Sequence, residues 1–223
     1  MLFRSRHGTA IAAVGDDGVR AYTAPPLIPD QSGLARRQAR VWADADTRLD
    51  IARRMYAWRL GELLPHTDIA SLRGIEGSRV KQMYKLQADR FKITWSGRRY
   101  DRANPLAADL PNQALNHAAS AVEAAAAIAV SATATIPQLG FIHEDSGQSF
   151  VLDIADLFRD EFTVPVAFAA AAHVDKNPTE NIERTTRKKA GNDMRKLQLI
   201  DKMIDRIKQL FGDPEPALKP PPF

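Results

Sequence analysis

Apolar residues recur along most of this chain at helical spacing, and the breaks in that rhythm mark out its elements. The exception comes first. Thr9-Ala-Ile-Ala-Ala-Val14 and Val19-Arg-Ala-Tyr-Thr23 flank Asp16-Asp17-Gly18, a pattern that predicts a β-hairpin. Pro25, Pro26, Pro29 and Gly33 make the following stretch a loop. Over residues 34–61, Val41, Leu49, Ile51, Ala52, Met55 and Leu60 fall at helical spacing among seven arginines. Residues 68–72 predict a short helix and 75–90 a longer one, with Val80, Met83, Tyr84 and Leu86 inward. Residues 95–110 are irregular and polar. Pro111 then opens a long alanine-rich helix with Leu115, Ala118, Val122, Ala126 and Ala129 on one face. Residues 137–147 form a loop, 150–158 an apolar run with two aspartates set in it, 166–174 another apolar helix, and 179–211 a long charged helix or helix pair. The proline-rich tail predicts disorder.

These elements predict a mainly α fold: a helical domain over 34–211, a β fragment with its linker over 1–33, and a tail over 212–223. A two-stranded hairpin is marginal alone, so the fragment reads as the edge or remnant of a sheet. With 223 residues and 44% hydrophobic content the chain can bury a good-sized core. It has no cysteine, which excludes disulfides, cysteine-ligated zinc and thiol catalysis. The N-terminus lacks a convincing signal-peptide core, and the alanine-rich stretch is too short and too polar to span a membrane. A soluble cytoplasmic protein is expected.

The net charge is only +4, so its placement carries the information. Residues 73–102 hold nine Arg or Lys against three acids, and residues 176–208 ten against five. Clustered positive charge beside isolated carboxylates suits a polyanion such as nucleic acid, although a solvated basic helix face would look the same.

Three places could carry chemistry. Glu76 lies in Leu72-Arg-Gly-Ile-Glu-Gly-Ser-Arg79, between two glycines that leave room for a close approach; the plain alternative is an acid near a positive helix start. His143 follows an apolar run and precedes a polar turn, a good position for a loop-borne ligand, although a lone histidine is more often structural. Asp153 and Asp156 are three apart, hence on one face of a helix, and their neighbours are strongly apolar. A buried carboxylate needs a partner, and an ion pair with Arg159 would serve as well as a metal. One imidazole with two or three carboxylates and no thiol suits a hard divalent ion, Mg2+ or Mn2+. HExxH, GxSxG and P-loop signatures are absent.

LRGIEGSRVK, WSGRRYD and LGFIHEDSGQSFVLDIADLFR, in that order, resemble the CRISPR-associated Cas-one integrases, in particular those of subtype I-E. The resemblance runs from about Gly8 to the proline-rich tail. It implies a divalent ion held by Glu76, His143 and Asp156, with Asp153 also near the catalytic site. It implies DNA near Arg98, Arg99, Tyr100 and Asp101, and the basic clusters are expected to add phosphate contacts from Arg79, Arg184, Arg187 and Lys188. The implied activity is that of a metal-dependent endonuclease and integrase, which joins spacer 3′-hydroxyls to a repeat array and cleaves branched DNA. The implied partners are double-stranded and branched DNA, a small Cas-two protein dimer and a second copy of the chain. Family members begin with a β-rich domain, of which only the final hairpin is legible here. A truncated copy is therefore expected, in which dimerisation is compromised; the alternative is a DNA-binding remnant without catalysis. An unrelated metal-dependent phosphoesterase is the other rival.

Overall fold

Asp44 breaks the arginine-rich stretch into two helices. Its backbone is extended (ψ 124°) and its carboxylate accepts a hydrogen bond from Thr47 N at 2.9 Å, the arrangement of a helix N-cap. Helix α1 (Gly33–Ala43) therefore ends where α2 (Ala45–Leu60) begins, although the sequence predicts one helical stretch; α2 ends at Gly61, whose φ of 73° suits glycine. The computed structural model describes residues 11–14, 21–24, 32–62, 68–99 and 108–212.

The next region shows the opposite correction. The two helices expected over 68–72 and 75–90 are one, α3 (Ile69–Phe91), capped by Asp68 accepting from Ser71 N at 2.7 Å. It runs through Gly74 and Gly77, each at a cost of about 1 kcal/mol relative to alanine. A Cβ at either glycine would meet nothing within 4 Å, so close approach of backbone is not their purpose. Leu86, expected inward, is 67% exposed. It lies two positions from both Tyr84 and Ala88, roughly 200° around the helix from each, and those two residues face the core.

Helix α4 (Leu110–Ala132) is the centre of the domain. Asp109 caps it through Asn112 N at 3.0 Å, and Pro111 sits in its first turn. It packs against α5 (Ser149–Asp156), α6 (Val164–Lys176), α7 (Ile182–Leu197) and α8 (Leu199–Phe211). Its buried Ala114, Ala118, Ala125, Ala126 and Ala129 meet an α6 equally rich in buried alanine, and small side chains let helices pack closely. A π-helical turn, Arg159–Thr163, joins α5 to α6; such turns are rare and often found at functional sites. Gln198, at φ 50°, separates α7 from α8, which resolves the expected charged helix into a pair. Two aromatic clusters complete the core: Tyr84, Trp95 and Phe168 with centroids 5.1–6.2 Å apart, and Phe141, Phe150 and Phe211 at 5.7–6.0 Å.

Strands β1 (Ile11–Val14) and β2 (Ala21–Ala24) pair antiparallel, with Val14 opposite Ala21. The second strand lies slightly later than residues 19–23, where the sequence placed it. The expected proline-rich tail beyond Gly212, and Tyr100 and Asp101, lie outside the described residues. Among the described residues no helix is long and apolar enough to cross a membrane.

Candidate active site

The loop that carries His143 is held from both sides. Gln38 on α1 is fully buried; its amide donates to Ile136 O at 2.9 Å and Leu139 O at 3.0 Å and accepts from Ile136 N at 2.6 Å. Trp42 Nε1 donates to Gly140 O at 2.9 Å, and Arg73 on α3 donates to Ile142 O at 3.1 Å. From beneath, Asp153 on α5 collects the loop's backbone. Its Oδ2 accepts from Phe141 N (2.6 Å) and Ile142 N (3.1 Å), and its Oδ1 from His143 N (2.9 Å). Asp153 is fully buried, and these N–H groups answer a charge that would otherwise be costly.

The same Oδ1 lies 2.7 Å from His143 Nδ1. An ionised carboxylate only accepts, so Nδ1 carries the proton and Nε2 faces outward. That hydrogen bond to Asp153 raises the His143 pKa above 6.5 against the opposing effect of burial, with the Asp153 and Asp156 charges adding to it. Nε2 lies 3.9 Å from Asp156 Oδ2. The three-residue spacing thus works as expected: Asp153 and Asp156 address the two nitrogens of one imidazole.

Gly140 is the tight point of this loop. A Cβ there would lie 2.3 Å from His143 O and 2.6 Å from Ser149 Cβ. Gly140→Ala is therefore expected to displace the His143 loop and to destabilise the domain by about 1–3 kcal/mol, the usual cost of overpacking. Chemical denaturation checks this; a variant as stable as the parent would show that the loop yields freely.

Glu76, His143 and Asp156 line one cavity of about 530 Å3, together with Tyr56, Arg59, Arg73, Glu144, Asp145 and Arg159. Glu76 sits in the third turn of α3, well past the helix start, so the helix-dipole explanation for it does not apply. It pairs instead with Arg59 of α2. Arg59 Nη1 also lies 3.6 Å from Asp156 Oδ2, and Arg159 donates to Asp156 Oδ1 at 2.5 Å. The guanidinium of Arg159 is held above its ordinary range: burial opposes its charge, but Asp156, Tyr84 and Glu76 outweigh it. Guanidinium groups stand among these acids, and among the described residues no three His, Asp or Glu side chains are grouped to hold a metal ion as they stand.

The basic residues divide. Arg98 and Arg159 line a second cavity of about 310 Å3 with Lys81, Tyr84 and Gly77; Arg159 borders both. Arg98 is steadied by Asn112 Oδ1 at 3.0 Å and Asn116 Oδ1 at 2.7 Å, and the backbone N of Arg99 donates to Asn112 Oδ1 at 2.9 Å. Arg79 is turned to the end of α2, donating to Leu60 O at 3.0 Å and pairing with Glu62. Arg184, Arg187 and Lys188 are exposed on α7 and border neither cavity; Arg187 pairs with Glu183 at 3.0 Å.

Sequence reasoning missed Arg59, Gln38, Trp42 and Arg73. For Arg59 a signal existed: it continues the buried stripe Ile51, Ala52, Met55, Tyr56 at helical spacing, so its charge had to meet an acid inside.

A family model for CRISPR associated protein Cas1 matches residues 56–186, more than half of the chain and the part that builds this site. The chain belongs to the Cas1 family. The CRISPR-associated endonuclease Cas1 of Geobacter sulfurreducens is 35% identical over 209 residues, covering 93% of this chain and 67% of that protein. Its Escherichia coli counterpart is 35% identical over 216 residues, covering 96% of this chain and 70% of that protein. A crystal structure of a TtCas1–DNA complex superposes with a TM-score of 0.81 at 33% identity, over 94% of this chain and 77% of that one. The helical domain described above is thus a Cas1 fold, and its cavity of acids and guanidinium groups lies on elements inside the matched region.

Proposed function

We propose that this chain is a divalent-metal-dependent DNA endonuclease and integrase of CRISPR adaptation, of the subtype I-E kind. It would join spacer 3′-hydroxyls to the repeat array by transesterification and cut branched DNA. The observation that carries the reading is the convergence of Glu76, His143 and Asp156 on one cavity, with Asp153 behind the imidazole. Relatives named CRISPR-associated endonucleases and a neighbour solved with DNA support it. The substrates in this reading are double-stranded and branched DNA, and the partners a small Cas-two protein dimer and a second copy of the chain.

Glu76, His143 and Asp156 would hold Mg2+ or Mn2+. The donor set fits: two carboxylates and one outward-facing imidazole nitrogen, with no thiolate, suit a hard ion. Bound there, the ion would neutralise charge on the scissile phosphate and acidify a 3′-hydroxyl or water. The protein's own groups do the rest. Asp153 fixes the imidazole's tautomer and the loop's position, as groups behind a metal-ligating histidine do. Arg159, Arg98 and Lys81 line the adjoining cavity and offer cationic partners to backbone phosphates. Arg184, Arg187 and Lys188 would extend that contact along α7, giving an affinity that falls with salt.

The deciding experiment is cleavage of branched DNA with Mn2+ and with a chelator, for the parent and for His143→Ala. Cleavage is expected to need the ion and to be lost in His143→Ala, while DNA affinity stays nearly unchanged because distributed cations supply it. Cleavage that survives the chelator, or equal loss of binding and cleavage in His143→Ala, would overturn the reading.

A further inference from the structure

Arg59 occupies an unusual position for a surface-type side chain. Its side chain is only 4% exposed. One guanidinium nitrogen pairs with Glu76 on α3, the other lies 3.6 Å from Asp156 on α5, and the group sits 5.9 Å from the centroid of the Tyr56 ring. It therefore bridges two carboxylates that come from elements far apart in sequence. Arg159 answers one oxygen of Asp156 at 2.5 Å, but only Arg59 stands between the two acids; without it Glu76 would lose its ion-pair partner and the two carboxylates would repel each other.

We propose that Arg59 is the resident counter-cation of this site, holding Glu76 and Asp156 together in the metal-free chain and yielding them when a divalent ion enters. The proposal rests on the metal reading given above. Glu76 and Asp156 cannot give those same oxygens to an ion while Arg59 holds them, and a guanidinium beside a divalent cation is repelled by it. Arg59 thus sets how tightly the ion is held and keeps the site assembled before it arrives, a role distinct from that of a ligand or of a DNA-binding cation.

The test uses the full chain freed of metal by chelation, with Mn2+ as the probe. Calorimetric titration gives the Mn2+ affinity, and thermal unfolding with and without Mn2+ gives the stability, for the parent, Arg59→Met and Arg59→Lys. Arg59→Met is expected to bind Mn2+ roughly tenfold or more tightly, since a unit positive charge has left the site. Its metal-free Tm is expected to fall by roughly 5–15 °C, and Mn2+ is expected to restore most of the loss. Arg59→Lys, which keeps the charge but cannot bridge two acids with one planar fork, is expected to fall between the two. A merely structural arginine would lower the Tm but could not tighten Mn2+ binding. If the parent binds Mn2+ and Arg59→Met binds it equally or more weakly, the proposal is overturned and the metal reading stands. If none of the three binds Mn2+, the metal reading itself falls, and this one with it. An Arg59→Met chain that folds only when Mn2+ is present supports the proposal. If that variant folds in neither condition, Arg59→Lys decides: tighter Mn2+ binding than the parent's supports the proposal, and equal or weaker binding overturns it.

Discussion

Asp153→Asn should destabilise the metal-free domain by about 2–4 kcal/mol, a large loss for so small a change of atoms. Each carboxylate oxygen of Asp153 receives two N–H groups: Oδ2 those of Phe141 and Ile142, Oδ1 those of His143 N and Nδ1. An asparagine keeps one acceptor oxygen. Turned one way, its NH2 group faces the N–H donors of Phe141 and Ile142; turned the other, it faces the His143 backbone N–H and can donate to Nδ1 only if the imidazole changes tautomer, so at least one buried donor meets a donor either way. The variant also removes the charge that raises the His143 pKa. A raised folded-state pKa contributes stability that is fully present below the unfolded value and is lost as pH rises through the folded value. The gap between parent and variant should therefore be widest below about pH 6.5 and should narrow as pH climbs past the raised pKa of His143. Urea unfolding across that range, with chelator present, checks both parts. A loss below about 0.5 kcal/mol would mean that the loop takes its hydrogen bonds from water, and a gap that widens with pH would remove the Asp153–His143 charge coupling.

How much of this was legible in the sequence depends on whether the deciding contact was local. Asp153 and Asp156 could be placed on one helix face because three residues of α-helix place them there. That Asp153 would be the buried one, turned back on the loop, was not legible: its partners are backbone N–H groups that leave no trace in composition. The break at Asp44, and the place of the break within the charged helix pair at Gln198, were hidden for a related reason, since a cap is a hydrogen bond and a left-handed residue is a dihedral. Gly74 and Gly77 read as room for a close approach beside Glu76, yet α3 runs through both, because Leu72, Tyr84 and Ala88 bury enough surface to offset the propensity cost. Leu86 shows the reverse error, an apolar residue assigned to the core by its type when its angular position puts it outside. Arg59 is the most instructive case. It was read as one of seven arginines in a charged helix, although its place on the apolar stripe marked it as a buried cation.

Asp156→Asn should cost cleavage roughly 1,000-fold, about 4 kcal/mol of barrier, at every Mn2+ concentration. Asp156 is the side chain on which the cavity's charges meet: Arg159 on one oxygen, Arg59 and His143 Nε2 near the other. In the proposed reaction it gives an anionic oxygen to the ion, and a neutral amide is a poor substitute for a hard cation. Raising the Mn2+ concentration fills a weakened site but does not return the missing charge. Asp153→Asn should behave differently in the same assay. Asp153 touches no solvent and cannot itself reach an ion in the cavity, so its loss misplaces His143 without deleting a ligand. A loss of about 10–100-fold, partly recovered at high Mn2+, is the size expected for a group behind a metal-bound histidine. Folding must be held constant for the comparison, so both variants are assayed at a temperature where unfolding curves show each of them native. Asp156→Asn is expected to fold, because the amide preserves the shape of the carboxylate and the cavity is open to water at His143, whose side chain is 37% exposed. If high Mn2+ rescues Asp156→Asn while Asp153→Asn stays inactive, the two aspartates have exchanged roles: the ion is then held from the loop side, and Asp156 serves only to seat Arg59 and Arg159.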